Sequence, residues 1–242
     1  MRLVHVYARA EVLELLRYPS FSVPTLLFPA LLFLFFGVPS EADDETILMA
    51  SYAAFGVLAV ALFQFGVGIA TERTTPWQVY LRTLPVSARV RFSARLVAAA
   101  VFALASAGAV VAVALALTST ELTASQWLRL GFALVCGTIP FGLLGLAIGY
   151  WLTPKGALPV ANLLFLGLAF LGGLWTGPER LPGAVDAFSP LLPTRQWGEI
   201  VWAPALDQGW DWWPWLGLSV YAAVFGALAA WGYRRDEGQQ YR

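Results

Sequence analysis

The chain is poor in charged residues. Only 12% of its 242 residues are Asp, Glu, Lys or Arg, whereas 59% are hydrophobic, and the charged share is about half that of an average globular domain. Basic and acidic residues balance to a formal net charge of zero, so charge gives no reason to expect a nucleic-acid partner. This composition is that of a membrane protein and leaves no room for a soluble domain.

Three chemically useful residue types occur once each: Cys136, His5 and Lys155. A lone cysteine inside an apolar run excludes a disulfide framework. The histidine falls on the polar face of an N-terminal helix, so neither a nucleophilic triad nor a metal site can be assembled around it. The lysine stands in "TPKGALP", which lacks the Walker A spacing G-x-x-x-x-G-K-[ST]. We therefore predict no catalytic site, metal or cofactor in this chain, and ATP hydrolysis would need another polypeptide.

Long apolar runs predict an all-α polytopic membrane protein with six transmembrane helices. Each run can cross a hydrocarbon core of about 30 Å, and none alternates apolar and polar residues as a barrel strand would. An N-terminal interfacial helix over residues 1–20 precedes them, and with no cleavage site after the first run we expect no signal peptide. The predicted spans are Phe21 to Val38, Ala50 to Ala70, Phe92 to Leu117, Leu128 to Leu152, Ala157 to Leu174 and Pro214 to Tyr233. Together they make one transmembrane domain.

Positive charges in the loops predict the orientation. The side that holds both termini would carry twelve basic residues, and the other side only Arg129, Arg180 and Arg195. The basic set is Arg2, Arg9, Arg17, Arg73, Arg82, Arg89, Arg91, Arg95, Lys155, Arg234, Arg235 and Arg242. Arg89, Arg91 and Arg95, in the first turns of the third span, are expected to face the anionic leaflet. Basic loops stay in the cytoplasm, so we expect a plasma (inner) membrane protein with both termini cytoplasmic.

The loop over residues 72–91 begins "ERTTPWQVYLRTLP". Thr75 and Pro76 are typical of a helix start, and Pro85 would end the helix after about two turns. Four apolar residues recur at helical spacing on one face of it: Trp77, Tyr80, Leu81 and Leu84. Such a face is too short to cross a membrane, so it either docks on a partner or lies on the bilayer headgroups.

This stretch resembles the type-2 permeases, the membrane subunits of ABC exporters. In that family E-R-x-x-G is followed by a short helix, a Leu-Pro stop and a Ser with basic residues; Pro76 stands where the family usually has Gly. The matching positions here are Glu72, Arg73, Leu81, Leu84, Pro85, Ser87 and Arg89. "ELLRYPSF" (residues 14–21) and "GPERLPGAVDAFSPLLPTRQWGEIV" (residues 177–201) are similar to the family's entry helix and to the segment before its last span. The order of the motifs is the specific part.

The resemblance implies that Pro76 to Leu84 is a coupling helix, held in a groove of a cytoplasmic ATPase subunit that binds ATP and Mg. The residues it assigns to ATPase coupling are Glu72, Arg73, Pro76, Trp77, Tyr80, Leu81, Arg82 and Leu84. It further implies two ATPase subunits and a second permease subunit, with a homodimer as the default. Glu72 and Arg73 would hold the helix against neighbouring spans, and Arg82 either pairs with an acid on the ATPase or is simply solvated.

Polar groups inside the spans are few, and two of them lie among phenylalanines. Phe63, Gln64 and Phe65 in the second span, with Asn162 and Phe165 in the fifth, could line a path for an amphipathic substrate. Hydrogen bonding between helices is the alternative for both amides. Gly145 and Gly149 form a G-x-x-x-G that predicts close helix packing. No ionisable group is expected at mid-membrane, which argues against a proton or sodium relay.

Residues 176–212 are proline-rich and partly apolar. In the family that this chain resembles, the region forms short helices that dip back into the outer leaflet and act as an external gate, whereas an ordinary extracellular loop is the alternative. The gate residues expected here are Glu179, Arg180, Pro190, Pro193 and Arg195. Arg195 would pair with Glu179 or with Glu199.

These features predict the permease subunit of an ATP-driven exporter that moves a drug, peptide or lipid out of the cytoplasm or inner leaflet. Two other classes stay open at this point. A self-contained channel or facilitator would transport without an ATPase, and a membrane scaffold would bind a partner without transport. An ATPase gene beside this one would favour the permease.

Overall fold

A computed structural model describes residues 2–17, 19–75, 88–178 and 180–240. All regular structure in those ranges is helical, which confirms the predicted all-α class. The helices are α1 (Arg2–Leu16), α2 (Pro19–Leu32), α3 (Ala42–Val60), α4 (Ile69–Glu72), α5 (Ala88–Leu117), α6 (Ala124–Trp151), α7 (Pro154–Leu171), α8 (Gly183–Asp186), α9 (Pro193–Ala205) and α10 (Trp212–Gln240). A π-helical turn, Phe33–Gly37, extends α2, and a longer one, Ala61–Gly68, joins α3 to α4. We call this second stretch the π segment.

Five helical stretches of the described chain are long and apolar enough to cross a membrane: Glu45–Glu72, Ser93–Leu117, Ala124–Trp151, Pro154–Leu171 and Trp212–Asp236. The first expected span is represented by a shorter apolar stretch. The helix that holds the predicted span Phe21 to Val38 runs from Pro19 to Gly37 with its π turn, and its apolar stretch among the described residues is Ser22–Gly37, about 24 Å at the rise of an α-helix. Because this is less than the usual hydrocarbon thickness of about 30 Å, length alone supports five spans and one shorter apolar helix.

Capping explains where two helices begin earlier than the hydropathy suggested. Helix α6 starts at Ala124 rather than near Leu128, because Thr123 forms a capping box with Gln126. Helix α7 starts at Pro154 rather than at Ala157, since the Thr153 side chain accepts a hydrogen bond from the Gly156 amide and Pro154 occupies the first turn. It ends at Leu171 rather than Leu174, just before Gly173 at φ +81°. Local side-chain chemistry therefore shifts these boundaries by three or four residues.

Helix α3 is the central element of the bundle. Phe55, Leu58 and Leu62 on α3 and the π segment are fully buried, and α3 contacts α5, α6, α7 and α9. By contrast, α10 exposes Leu216, Val220 and other apolar side chains along its outer face. When the outer face of a helix is apolar too, the helix is suited to a lipid environment. The bundle therefore resembles a membrane domain whose core is built around α3.

The G-x-x-x-G of α6 is a close-packing seam, as predicted. A Cβ atom added to Gly145 would lie 2.5 Å from the Ala61 carbonyl oxygen, and one added to Gly149 would lie 2.8 Å from the Phe65 carbonyl oxygen. Both carbonyls belong to the π segment. Because glycine has no Cβ, the backbones of α6 and the π segment can approach closely at this seam. Any other residue at these two positions would hold them further apart.

Candidate functional site

Four helices are tied together where the described chain reaches Thr75, just before residues 76–87. Five charged side chains take part, and we call them the polar clamp: Glu11, Glu72, Arg73, Arg95 and Asp236. Glu72 ends α4, and Thr75 bonds back to it, with its amide 2.9 Å and its hydroxyl 2.7 Å from the Glu72 carbonyl oxygen. The clamp therefore sits at the root of the loop that the sequence singled out.

Arg73 is the arm of the clamp that reaches α6 and α10. Its guanidinium donates to the Asp236 carboxylate at 2.6 Å and to the Leu152 carbonyl at 2.6 Å, with a longer bond of 3.3 Å to the Tyr150 carbonyl. These carbonyls belong to the C-terminal end of α6, where the peptide groups have no partner within the helix and the helix dipole favours a cation. Only 17% of the Arg73 side chain and 10% of the Asp236 side chain are exposed. Such a shielded pair is screened less by salt than a surface pair.

Glu72 and Arg95 form the other arm. The Arg95 guanidinium of α5 donates to the Glu72 carboxylate and lies 3.8 Å from the carboxylate of Glu11 on α1. Arg95 thereby joins three helical elements. The expectation that Arg95 faces the anionic leaflet is wrong: only 13% of its side chain is exposed, and its charge is used inside the bundle. The carboxylates of Glu72 and Glu11 flank this guanidinium and offset part of its desolvation cost.

Glu11 is the member of the clamp whose ionisation is perturbed by its surroundings. Burial raises the pKa of its carboxyl above the usual 4.5, and the negative charges of Glu72 and Glu14 add to that rise. The Arg95 guanidinium lowers the pKa of the same carboxyl, but burial is the larger effect. Protonation of Glu11 is therefore easier in the folded chain than in water.

Three members of the clamp were missed in the sequence. Glu11 lies ten residues before the first apolar run and Arg95 lies in the first turn of the third, and no motif marks either of them as a partner of Glu72. Asp236 stands in the polar tail "YRRDEGQQYR", 163 residues from Arg73, and nothing local distinguishes it from its neighbours. Pro76, Trp77, Tyr80, Leu81, Arg82 and Leu84, predicted for ATPase coupling, lie outside the described residues.

At the opposite end of the bundle, α9 inserts between the long helices. The Trp197 indole is fully buried, donates to the Ala133 carbonyl at 2.8 Å, and occupies the place that a Cβ of Gly137 would take. Gly137 is thirteen residues into α6, about 20 Å along that helix. Near the other end of α9, Gln126 in the first turn of α6 donates to the Pro204 carbonyl at 3.2 Å. Helix α9 thus runs antiparallel to α6, and its C-terminal end lies beside the first turn of α6.

The expected gate residues are distributed around this insertion. Arg195 pairs with Glu199 at 3.2 Å, which is one of the two acids proposed for it, and it donates to the Pro178 carbonyl at 3.1 Å. Pro193 is buried at the start of α9, and the Pro190 carbonyl accepts a bond from Gln196 at 3.1 Å. Arg180 is exposed. Glu179 lies outside the described residues.

The expected substrate-path residues divide between two surroundings. Phe63 and Phe165 meet with ring centroids 5.5 Å apart, and Phe165 also lies 4.5 Å from Phe55. Gln64 and Phe65 are buried, with Phe65 against the glycine seam of α6. Asn162 is exposed on α7, whereas the buried face of that helix is made by Ala157, Ala161, Phe165 and Ala169. The structure therefore brings Phe63 and Phe165 together, places Phe65 against α6, and leaves Asn162 on another face.

The long apolar helices and the seam between them define a polytopic membrane protein. Its sequence matches the ABC-2 type transporter family over residues 2–203, so the chain belongs to that family. It is also similar to a protein of Bacillus subtilis strain 168 named "Putative transport permease YvfS", with 24% identity over 243 residues that cover 98% of this chain and 99% of the relative. The predicted family is thereby confirmed. Members of this family are transport permeases and are typically non-catalytic, and the family implies an ABC ATPase partner in general.

Proposed function

We propose that this chain is the membrane subunit of an ATP-driven exporter that moves an amphipathic drug, peptide or lipid out of the cytoplasm or inner leaflet. The observation that carries the proposal is the polar clamp. Its adjacent residues Glu72 and Arg73 link the root of the loop at residues 76–87 to α1, α5, α6 and α10. A push on that loop would be transmitted to four helices at once, as coupling to an external motor requires.

The proposed coupling helix is Pro76 to Leu84, with the aromatic ring of Trp77 as its anchor in an ATPase groove. Glu72 and Arg73 hold the base of this helix rather than touching the ATPase. Two ATPase subunits would each bind ATP and Mg, and two copies of the permease would form the transport unit. This chain itself would hold neither nucleotide nor metal.

The basic residues of the clamp end support a cytoplasmic location for that end, and with it for both termini, in the plasma (inner) membrane. The insertion of α9 would then lie in the outer half of the bilayer. Its tip is about 20 Å along α6 from the outer end, which supports a re-entrant gate better than a surface loop. Arg195 and Glu199, two residues to either side of Trp197, would pair within the inserted part of that gate.

The cargo path is proposed along α3 and α7, where the rings of Phe63 and Phe165 meet. Apolar walls with few polar groups suit an amphipathic molecule better than a small ion. The described spans hold their ionisable side chains near the helix ends, as Glu45, Glu72, Arg95 and Asp236 do. This supports a motor outside the membrane rather than an ion relay within it.

The experiment is capture of the protein from native membranes with a Trp77→Ala, Leu81→Ala double variant beside the wild type. We expect an ABC ATPase to accompany the wild type and to be lost with the variant, because an interface loses most of its affinity with its central aromatic anchor. The matched control is Leu206→Ala, Trp212→Ala, which truncates an exposed leucine and an exposed tryptophan at the opposite end of the bundle. The control should retain the ATPase.

Capture without any ATPase, from membranes in which the wild type is intact, would refute the proposal. Equal capture by all three proteins would also count against it, because the partner would then bind elsewhere on the chain. Transport by the purified chain alone would favour a facilitator instead.

A further inference from the structure

The π segment is an unusual stretch of helix in the second half of the central span Glu45–Glu72. It covers eight residues, Ala61–Gly68, with α-helical backbone at Val60 before it and at Ile69 after it. Helices of i→i+5 hydrogen bonding are rare, and those that occur lie frequently at functional sites. A π turn holds more residues than an α turn, so its presence changes the register of everything that follows it. The elements that follow are α4, the polar clamp and the proposed coupling loop.

Gln64 lies inside this segment and has no hydrogen-bond partner among the described residues. Its side chain is only 4% exposed, yet both its amide oxygen and its amide nitrogen are buried without a bond. Buried polar groups are almost always bonded, and each exception calls for an explanation. By contrast, Gln126 is 8% exposed, but its oxygen accepts from the Thr123 amide at 2.7 Å and its nitrogen donates to the Pro204 carbonyl at 3.2 Å.

The segment that carries Gln64 packs on α6 largely through its backbone. Its backbone lies against Gly145 and Gly149 of α6, with no side chain of α6 between them at those two positions. Gly66 and Gly68 within the segment add backbone freedom. A change from π to α hydrogen bonding would rotate and shift the following residues by about one position, which is roughly 100° and 1.5 Å along an α-helix. Glu72 and Arg73 would move with them.

We propose that Gln64 is a positioning residue for transport, whose unbonded amide makes the π form of the segment less stable and so favours its conversion to α-helix when the coupling loop moves. In the converted state the amide gains the hydrogen-bond partner that it lacks here. This inference rests on the proposed function and names the part of the span that would link loop movement to the membrane core. Removing the amide would stabilise the state described here and slow the cycle.

The test compares Gln64→Met, Gln64→Asn and Gln126→Met in the purified permease–ATPase complex. Methionine keeps the length of glutamine without its hydrogen-bonding groups. Replacing an unbonded amide should raise the apparent Tm of the permease by several degrees, on the order of 2 to 8 °C. In Gln126→Met the same replacement removes formed hydrogen bonds, so its Tm should fall. If the Tm rises in Gln64→Met and falls in Gln126→Met, the rise is due to the loss of an unbonded amide and not to a general effect of methionine.

The second measurement is permease-dependent hydrolysis of ATP in the presence of Mg. Gln64→Met should lose roughly tenfold, as about 1.4 kcal/mol of added stability in one state of a two-state cycle would give. Gln64→Asn, which keeps an amide, should retain more hydrolysis than Gln64→Met. If Gln64 had a purely structural role, its substitution would change the Tm, but ATP hydrolysis would not decrease from wild type through Gln64→Asn to Gln64→Met.

A lower Tm for Gln64→Met would overturn the inference, because the amide would then be bonded in the folded protein. A higher Tm with unchanged hydrolysis would overturn it as well, since the segment would have no part in the cycle. If the wild-type complex shows no permease-dependent hydrolysis, the proposed function fails, and this inference fails with it. A fully active wild type beside a fully active Gln64→Met refutes the inference alone.

Discussion

Replacing Arg73 with methionine tests the polar clamp directly. The change removes two short bonds, to the Asp236 carboxylate and the Leu152 carbonyl, both 2.6 Å, and a longer one to Tyr150. Hydrogen bonds to charged groups contribute about 1.5 to 3 kcal/mol each. Because both side chains are little exposed, solvent weakens the attraction between their charges only modestly. We expect the free energy of unfolding to fall by about 3 to 6 kcal/mol, seen as a Tm lower by roughly 6 to 24 °C in detergent.

A double-mutant cycle isolates the pair from the other bonds of Arg73. Asp236→Asn keeps the side-chain volume and should cost about 1 to 2 kcal/mol. Combined with Arg73→Met, it should show a coupling energy of about 1 to 2 kcal/mol. Arg235→Met is the matched control: Arg235 is exposed and lies 5.3 Å over the Trp151 ring, a contact that contributes no more than about 1 kcal/mol. Strict additivity of Arg73→Met and Asp236→Asn would refute the clamp as described.

Three further substitutions test other parts of the structure. Because the pKa of Glu11 lies above 4.5 in the folded chain, its ionisation lowers stability as the pH rises through that value, so Glu11→Gln should gain Tm relative to wild type at about neutral pH and little near pH 4.5; a constant difference across pH would contradict this. Gly145→Ala should lose about 1 to 3 kcal/mol against the Ala61 carbonyl, whereas Gly108→Ala, with open space around its Cβ, should be neutral or gain up to about 1 kcal/mol. Trp197→Ala should cost about 3 to 5 kcal/mol, and the same change at the exposed Trp212 well under about 1 kcal/mol; thermal unfolding measures both, and equal losses would show that α9 is not inserted.

Much of the bundle could be predicted because hydropathy is a local property. A run such as Ala98 to Leu117 is apolar whatever surrounds it, so it predicts a span from its own residues. The G-x-x-x-G of α6 likewise predicted a seam, since small residues permit close approach whatever the partner helix is. Span ends were less accurate where capping decided them, as Thr123 and Thr153 did for α6 and α7.

The candidate site was predicted only in part. Glu72 and Arg73 were found because they stand in a recognisable order before the short helix that the sequence predicts for the loop. Their partners Asp236 and Arg95 could not be found, because their importance depends on which helices lie side by side. Arg95 was even assigned the wrong direction, since a basic residue at a span end is usually expected to face headgroups.

By itself the sequence determined that this chain spans a membrane, that it is helical, which family it resembles and where its polar loop begins. These follow from composition, periodicity and short motifs, which act within a turn or two of helix. Only the tertiary structure decided that Arg73 meets Asp236 across 163 residues, that Gln64 is buried in a π segment without a partner among the described residues, and that α9 inserts beside α6. Those features depend on which helices, far apart in the sequence, lie side by side, and that is decided by packing over the whole bundle.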